Sequence, residues 1–220
     1  MFDFTRAGWF YGYHSRMTKE TYTEADALRM EIAVAAAKLI AEEGLSYATA
    51  KRKAARQVLG EGRVSHDVLP GNALIEEEVR IYNELFLSDS QPARLRRLRQ
   101  LALEVMEELA QFDPYLTGAV LNGTAGEHSD IYLQLFADNP KEVEMFLLNR
   151  NVNFDVSETP HFRPHRPPVE TLSFLREGEG VHLALYSHDD LRGAVRARDE
   201  RRLERANLEM VRSLVAEDER

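Results

Sequence analysis

The spacing of apolar residues changes near residue 113, and this change constrains the fold more than any other feature of the chain. Before it, apolar residues recur at three- and four-residue steps, as at Leu98, Ala102 and Val105, which is the period of a helix that buries one side. After it, short apolar runs are separated by glycine, asparagine and aspartate, as is typical of strands joined by turns. We therefore predict an α+β protein in which a helical N-terminal half packs on a small mixed β-sheet.

Capping residues predict four helices in the first half, since Ser, Thr, Asn and Pro favour helix starts and Gly favours helix ends. The predicted boundaries are Thr23 to Gly44, about Ser46 to Leu59, an N-cap at Asn72, and a start at Ser90 or Gln91 with Pro92. The last of these helices is long, and we expect it to pack along a broad apolar side.

Five apolar segments in the second half predict a four- or five-stranded mixed sheet. They are "GAVLNG", "DIYLQLFA", "VNFDVSE", "VETLSFLRE" and "GVHLALYS", with a helix over "KEVEMFLLNR" between the second and the third. The predicted organisation is a flexible extension over 1–22, a helical region over 23–112, an α/β region over 113–198 and a charged, exposed helix over 199–220.

Composition limits the class of protein. Hydrophobic residues make up 44% and charged residues 30% of the chain, the balance of a folded globular protein. There is no cysteine, which excludes disulfides, thiolate metal sites and a cysteine nucleophile and fits a reducing cytoplasm. No apolar run approaches the roughly 20 residues that cross a bilayer, so we expect a cytoplasmic protein with no membrane partner. The net charge of −9 argues against indiscriminate binding to nucleic acid. The oligomeric state stays open.

The stretch "LNGTAGEHSDIYLQLF" holds the candidate site. A strand that ends at Gly123 and Thr124 would let backbone N–H groups approach an anion, because glycine has no side chain. Asp130 begins the next strand, and Asp155 lies in the apolar run "NFDV", where a buried carboxylate needs a partner or a metal. Two carboxylates on neighbouring strands beside this turn predict a site for Mg²⁺ and phosphates. The alternative is an ordinary hairpin loop whose Asp130 makes turn hydrogen bonds, with Asp155 at a sheet edge in water.

The order of an apolar strand, "GT", a short loop, "SDIYL", a helix and then "NFDV" resembles the DNA polymerase β-like nucleotidyltransferase superfamily over roughly residues 116–157. Members of that superfamily show an apolar residue followed by Gly-Ser, a spacer, Asp-x-Asp or Asp-x-Glu, and a third carboxylate on a later strand. The resemblance implies that Gly123 and Thr124 bind the phosphates of an NTP substrate and that Asp130 and Asp155 hold Mg²⁺ as metal ligands.

Three features depart from the superfamily pattern. Tyr132 occupies the second carboxylate position, and a neutral phenol is a poor ligand for Mg²⁺ near neutral pH. Thr124 replaces the usual serine. The spacer before Asp130 is shorter than usual and leaves little room for the small helix that normally carries the phosphate site, to which the resemblance also assigns Ser129.

Two functional hypotheses follow from these residues. In the first, the protein transfers a nucleotidyl group from an NTP to an RNA, protein or small-molecule acceptor with Mg²⁺, and Glu127 or His128 serves as auxiliary metal ligand or proton acceptor. In the second, the protein is a catalytically degenerate relative that binds nucleotide or RNA or acts as an interaction module. The phenol of Tyr132 favours the second hypothesis.

A basic run, "AKRKAARQ", offers a second kind of site. Lys51, Arg52, Lys53 and Arg56 lie on one short predicted helix and could bind the backbone of an RNA presented to the sheet. The run "ARLRRLRQ", which begins at Ala93, has the same character. The alternative is that both runs are solvated helix faces that balance acidic neighbours such as "IEEEV".

The histidines outside the loop that contains His128 predict little chemistry. His161 and His165 are four residues apart, but the prolines around them oppose a helix, so we expect a surface loop. His182 is expected to be an ordinary sheet residue. The sequence lacks the Gly-x-Ser-x-Gly elbow of Ser-His-Asp hydrolases and the glycine-rich loop of P-loop NTPases, so neither class is predicted.

Overall fold

The computed structural model describes residues 23–60, 65–163, 165–194 and 205–219. Within these ranges the chain forms eight α-helices and one mixed sheet of six strands, which confirms the predicted α+β class. The predicted extension over 1–22 and the first residues of the predicted tail lie outside the described residues. None of the helices within these ranges is long and apolar enough to cross a membrane.

The first three helices form a unit built around alanine. They are α1 (Glu24–Glu43), α2 (Tyr47–Leu59) and α3 (Asn72–Phe86). Six of the ten buried residues in their shared core are alanines. Small side chains at the contacts shorten the distance between helix axes, so the three helices pack closely around the buried Ile32, Leu39 and Ile75.

Local capping explains where these helices start and stop. Thr23 forms a capping box at the start of α1, and Gly44 ends α1 in the left-handed conformation with φ 65°, as predicted. Ser46 caps α2 with its side chain, also as predicted. The N-cap of α3 is Gly71, so the predicted cap Asn72 is instead the first helical residue.

The second half of the chain forms the sheet and the remaining helices. The strands are β1 (Tyr115–Thr117), β2 (Ile131–Phe136), β3 (Asp155–Thr159), β4 (Val169–Arg176), β5 (Glu179–Tyr186) and β6 (Ala206–Asn207). The helices are α4 (Gln91–Glu108), α5 (Gly118–Asn122), α6 (Pro140–Asn149), α7 (His188–Ala194) and α8 (Leu208–Asp218). The strand order is β3-β4-β5-β2-β1-β6.

The centre of the sheet is a parallel pair, β2 with β5, and all other neighbouring pairs are antiparallel. Along β2, Ile131, Leu133 and Leu135 are buried, whereas Tyr132 between them is exposed. Because side chains alternate along a strand, one face of the sheet carries the core and the opposite face is open around Tyr132. We refer to the latter as the open face.

The long helix α4 connects the helical unit to the sheet. Pro92 occupies its first turn, where no N–H is needed. Its buried residues, among them Leu98, Val105 and Met106, join a main core. That core also contains Leu133 of β2, Leu183 of β5 and Val211 of α8. This core is the larger of the two hydrophobic clusters. It packs against the face of the sheet that is opposite the open face.

The segment "GAVLNG" is the short helix α5, so its prediction as a strand is wrong. Only Tyr115–Thr117 just before it is extended. An apolar run of four residues fits a buried strand and a helical turn equally well. The helical turn buries the consecutive residues Val120 and Leu121 together, whereas a strand would point them to opposite faces.

The sheet has six strands rather than the four or five predicted, because β1 and β6 are too short to show an apolar pattern. β6 pairs with β1 and buries Ala206. The helix α8 that follows buries Val211 and Val215. The described part of the predicted exposed tail therefore packs on the main core.

Two glutamates from different elements meet at a partly buried contact. Glu144 on α6 lies beside Glu170 on β4, and the ammonium group of Lys141 lies 2.5 Å from Glu144 Oε1. Burial, and then the hydrogen bond with Glu144, raises the pKa of Glu170, whereas the hydrogen bond from Lys141 lowers the pKa of Glu144. Glu158 on β3 faces Glu170 across the strand pair and adds a further carboxylate. Glu170 therefore holds its proton more tightly in the folded state than in the unfolded chain.

Replacing this residue, Glu170→Gln, is expected to raise the melting temperature at pH 7 and to leave it unchanged near pH 4 and below. Because the pKa of Glu170 is raised on folding, the carboxyl group lowers stability only once the pH exceeds the unfolded-state pKa, and glutamine removes that effect. A gain of about 1 kcal/mol would appear as a shift of about 2–4 °C in a chain of this size. Thermal unfolding at both pH values, with the exposed Glu84→Gln as control, measures the effect. An equal shift at pH 4 and pH 7 would contradict it.

Candidate functional site

Five strands each bring one residue to a single row on the open face. The residues paired across neighbouring strands are Thr117 on β1, Tyr132 on β2, His182 on β5, Ser173 on β4 and Asp155 on β3. Paired residues point to the same side of a sheet, and Tyr132 is 49% exposed, so the row lies opposite the main core. The sheet thereby gathers polar side chains that are far apart in the sequence.

His182 is the centre of a hydrogen-bonded chain in this row. Its Nδ1 lies 2.9 Å from Ser173 Oγ, and its Nε2 lies 3.1 Å from Asp130 Oδ2. The Tyr132 ring stacks on the imidazole with 4.7 Å between centroids and 19° between planes. The imidazole is thus held at both nitrogens and on one face, while 26% of its side chain and 43% of the Asp130 side chain stay exposed.

The absence of a side chain at residue 180 allows Asp130 to reach His182. Gly180 lies on β5 two residues before His182 and therefore on the same face. A Cβ atom built on Gly180 would lie 2.5 Å from Oδ1 and 2.6 Å from Cγ of Asp130. The carboxylate occupies the space that any other residue would fill.

The segment that leads into Asp130 is bound along its length by side chains of α3 and α4. Each of the eight consecutive carbonyl oxygens from Val120 to Glu127 accepts a hydrogen bond from these helices. The bonds run from Arg99 to Val120 and Leu121, Arg80 to Asn122, Gln91 to Gly123 and Ala125, Asn83 to Thr124, and Arg94 to Gly126 and Glu127. Since unpaired backbone oxygens are costly inside a protein, these bonds fix the path of residues 120–127, the carbonyl-bound segment.

The two arginines of α4 that bind the carbonyl-bound segment, Arg94 and Arg99, also bind carboxylates. Arg94 contacts both carboxylate oxygens of Glu179 at the start of β5, and this hydrogen bond lowers the pKa of Glu179. Arg99, whose side chain is only 10% exposed, contacts the two oxygens of Asp218 on α8 at 2.9 and 3.0 Å. These two members of the basic run on α4 therefore bind within the protein and do not form a free face for RNA.

Gly123 and Thr124 do not end a strand, so the predicted geometry of an anion cradle is wrong. Both follow α5, and the N–H groups of both donate to the carbonyl oxygen of Ala119. The hydroxyl group of Ser129 accepts the N–H of Gly126. The groups that the resemblance assigned to phosphate thus close the loop on itself.

Asp155 is exposed and begins β3 at the edge of the sheet, so the prediction of a buried carboxylate on a strand next to Asp130 is wrong. β4 and β5 lie between β3 and β2, which separates the two carboxylates by about 14 Å at the usual strand spacing. One Mg²⁺ ion needs its oxygen ligands about 2.1 Å away. The structure does not bring Asp130 and Asp155 together, and the alternative from the sequence, an edge carboxylate in water, describes Asp155.

Glu127 and His128 lie in the loop before Asp130, and both are exposed. A Cβ atom on Gly44 would lie 2.5 Å from the Cβ atom of His128, so His128 packs against the end of α1. The carbonyl oxygen of Glu127 accepts from Arg94. This part of the loop therefore contacts both the end of α1 and α4.

The basic run on α2 is partly paired. Lys53 lies 2.6 Å from the carboxylate of Glu43, and Lys51 donates to the first residue of α3 at 3.1 Å. Arg52 and Arg56 are exposed. Lys53 thus balances an acidic neighbour, whereas Lys51 binds a side-chain amide and the guanidinium groups of Arg52 and Arg56 face solvent. Binding of RNA by this run stays a prediction.

The predicted surface loop around His161 is partly buried. The His161 side chain lies 3.5 Å from Asp190 of α7 and is nearly inaccessible. Phe162 packs on Tyr186 of β5 with 4.8 Å between ring centroids, whereas His165 is exposed. The loop therefore covers one end of the open face, beyond the row that contains His182.

Sequence patterns do not identify Ser173 and His182 as partners of Asp130. The apolar neighbours Val181 and Leu183 do place His182 on the polar face of its strand, and that signal is readable. The decisive contact, however, joins residues 52 positions apart through the parallel pairing of β5 with β2. No local pattern encodes that pairing.

No three histidine, aspartate or glutamate side chains within the described ranges lie close enough together to hold a metal ion. Comparisons with protein-family models, with curated proteins and with solved structures found no match. We therefore infer the chemistry of the open face from its own side chains.

Arg99→Met is expected to destabilise the fold by about 2–3 kcal/mol, because it leaves Asp218 and two carbonyl oxygens without their donor. Arg96→Met, on the exposed side of the same helix, should change the free energy of unfolding by less than about 0.5 kcal/mol. Urea unfolding measures both. Equal midpoints for the two variants would show that the carbonyl-bound segment does not need Arg99.

Gly180→Ala is expected to push Asp130 away from His182, because the new methyl group needs the space of the carboxylate. Overpacking of this kind typically lowers the free energy of unfolding by about 1–3 kcal/mol. Nitrogen NMR of the His182 imidazole reports the loss of the hydrogen bond directly. Gly126→Ala is the matched control, since a Cβ atom there meets no atom within 4 Å. The prediction fails if the imidazole signals of Gly180→Ala match those of the wild type.

Proposed function

We propose that this is a nucleotidyltransferase-like protein that binds a nucleotide through its base and does not carry out Mg²⁺-dependent nucleotidyl transfer. One observation carries the proposal. Tyr132, in the second carboxylate position of the superfamily pattern, lies half exposed on the open face and stacks on His182. An aromatic ring at that position replaces a metal ligand with a surface on which a base can stack.

The order of elements supports the resemblance, but with Gly118 instead of the predicted Gly123 in the position of the superfamily glycine. β1 is followed at once by Gly118 and Ala119, which begin the short helix α5, and Asp130 comes just before β2. A strand, a glycine with a small residue, a small helix and an aspartate are the features of the superfamily pattern. With Gly118 and Ala119 in the Gly-Ser position, the spacer is no longer short and it includes the helix.

The side chains around the expected metal positions support the loss of metal-dependent transfer. Asp130 keeps the first carboxylate. The later strand beside β2 is β5, where His182 contacts Asp130, so an imidazole stands where a further carboxylate would be expected. Mg²⁺ prefers oxygen ligands, and burial together with the nearby Asp130 charge raises the pKa of the Tyr132 phenol, which keeps it neutral. One carboxylate remains where a two-metal mechanism needs several.

The row on the open face offers groups that suit a base better than phosphates. Stacking of a base on an aromatic side chain is worth about 1–3 kcal/mol. The carboxylate of Asp130 lies beside His182, and that of Asp155 lies two strands away in the same row. Both accept hydrogen bonds of the kind that exocyclic amino groups donate. Arg94 and Arg99 are bound to carbonyl oxygens and carboxylates, so these two cations are not left for phosphate. We therefore expect affinity that depends weakly on salt.

Calorimetric titration with ATP, GTP, CTP and UTP, with and without Mg²⁺, tests this function. We expect binding that does not need Mg²⁺ and that falls about 10-fold or more in Tyr132→Ala, because the stacking surface is lost. Tyr132→Phe keeps the ring and should bind nearly as the wild type does. Phe86→Ala removes a similarly exposed ring elsewhere and is the control. No binding of any nucleotide, or Mg²⁺-dependent turnover that Asp130→Ala abolishes, would contradict the proposal, and the latter result would favour an active transferase.

The assignment of metal positions leads to a second prediction. Tyr132→Asp combined with His182→Asp is expected to create a site that binds Mg²⁺, because three carboxylates would then meet beside β2 and β5. Calorimetry with Mg²⁺ measures it. Tyr132→Asn combined with His182→Asn has the same side-chain shapes without the charges. Equal metal affinity in the two double variants would show that these are not the metal positions.

A further inference from the structure

The hydrogen-bonded chain on the open face also has the arrangement of a base-activated serine. Ser173 Oγ lies 2.9 Å from Nδ1 of His182, and Asp130 Oδ2 lies 3.1 Å from Nε2. Ser173 and His182 stand opposite each other on β4 and β5, and Asp130 comes just before β2. Neighbouring strands therefore hold the three groups within hydrogen-bonding distance.

The positions of the protons in this chain follow from the carboxylate. An ionised aspartate only accepts hydrogen bonds, so Nε2 of His182 carries the ring proton and donates to Asp130. A neutral imidazole then has its lone pair at Nδ1, and the Ser173 hydroxyl group donates to it. This is the division of roles in a Ser-His-Asp triad, with the two ring nitrogens exchanged.

Tyr132 supplies a hydrogen-bond donor beside this chain. Its ring stacks on the His182 imidazole, and the raised pKa of the phenol keeps its O–H group protonated. From the strand next to His182, a neutral phenol is a donor for the negative charge that develops on a carbonyl oxygen.

We propose that Ser173 is a nucleophile for small activated carboxylic esters. His182 is its general base, Asp130 is a positioning residue that orients the imidazole, and Tyr132 donates to the oxyanion. This activity goes beyond nucleotide binding, and its test does not depend on a nucleotide being bound.

Each step of the reaction uses only side chains of this protein, the ester and water. Ser173 Oγ forms a bond to the carbonyl carbon, and its proton passes to Nδ1 of His182. The bond from the carbonyl carbon to the leaving oxygen breaks, and His182 returns the proton to the departing alkoxide. Water then attacks the acyl-serine with the same proton transfers, which releases the carboxylic acid and restores the Ser173 hydroxyl group.

The hydrogen-bonded side chains on the open face are reachable from solvent. The side chains of Asp130, Tyr132 and His182 are all partly exposed. Leu175, two residues beyond Ser173 on the same strand, is 75% exposed and points to the same face. It offers an apolar contact for the carbon atoms of a small ester that approaches over the open face.

Reaction with an alkyl fluorophosphonate tests the proposal, since the reagent forms a serine–phosphorus bond and releases fluoride where a serine is activated by a base. We expect mass spectrometry of the folded wild type to show one adduct, located on Ser173. Ser173→Ala should give no adduct, and His182→Gln should slow labelling by about 100-fold or more. Ser157→Ala removes a serine from the same face of β3 and should label as the wild type does. A folded wild type without an adduct, or an adduct that persists in Ser173→Ala, would overturn the proposal.

Two further variants separate the chemistry from support of the fold. Tyr132→Phe keeps the ring and removes the donor, so labelling should slow by about 100-fold or more. Asp130→Asn should slow labelling and move the imidazole proton from Nε2 to Nδ1, because the amide group donates where the carboxylate accepted. Nitrogen NMR of His182 detects that change. Unchanged labelling in both variants would overturn the roles assigned to Tyr132 and Asp130.

Discussion

Hydrogen bonds from α3 and α4 to the carbonyl-bound segment are the constraint on which the rest of the structure depends. A backbone that runs between packed elements without pairing to another strand leaves its carbonyl oxygens unsatisfied, at about 1–3 kcal/mol for each one that is buried. The helical half provides the donors, and the bond from Asn83 to Thr124 spans 41 residues. The start of β2, and with it Asp130, is therefore positioned by helices that precede the sheet in the sequence.

The open face shows how strand pairing builds a site from separate pieces. The parallel pair of β2 with β5 places Tyr132 beside His182, and the antiparallel pair of β4 with β5 adds Ser173. Gly180 leaves the room that Asp130 needs. Single substitutions at paired positions can therefore change the chemistry of such a face from metal binding to stacking or proton transfer while the order of elements stays the same.

Helix boundaries could be predicted because caps act within one turn, as at Thr23, Gly44 and Pro92. The buried side of β2 can also be predicted, because the alternation of apolar and polar residues along a strand is a local pattern. Strand order was not readable, since a linear pattern does not state which strand lies beside β2. The sequence pattern therefore predicts Asp155 next to Asp130, where the fold has His182. It predicts a strand for the apolar run of α5, because four apolar residues fit both structures.

The edge position of Asp155 has a different consequence. β3 is the last strand on its side of the sheet among the described residues, so its outer N–H and C=O groups have no neighbouring strand there. Edges of this kind attract strands from other molecules unless charged side chains oppose the pairing. Asp155 and Glu158 place two negative charges on this short strand. A second copy of the chain would have to bring four carboxylates together to extend the sheet across it.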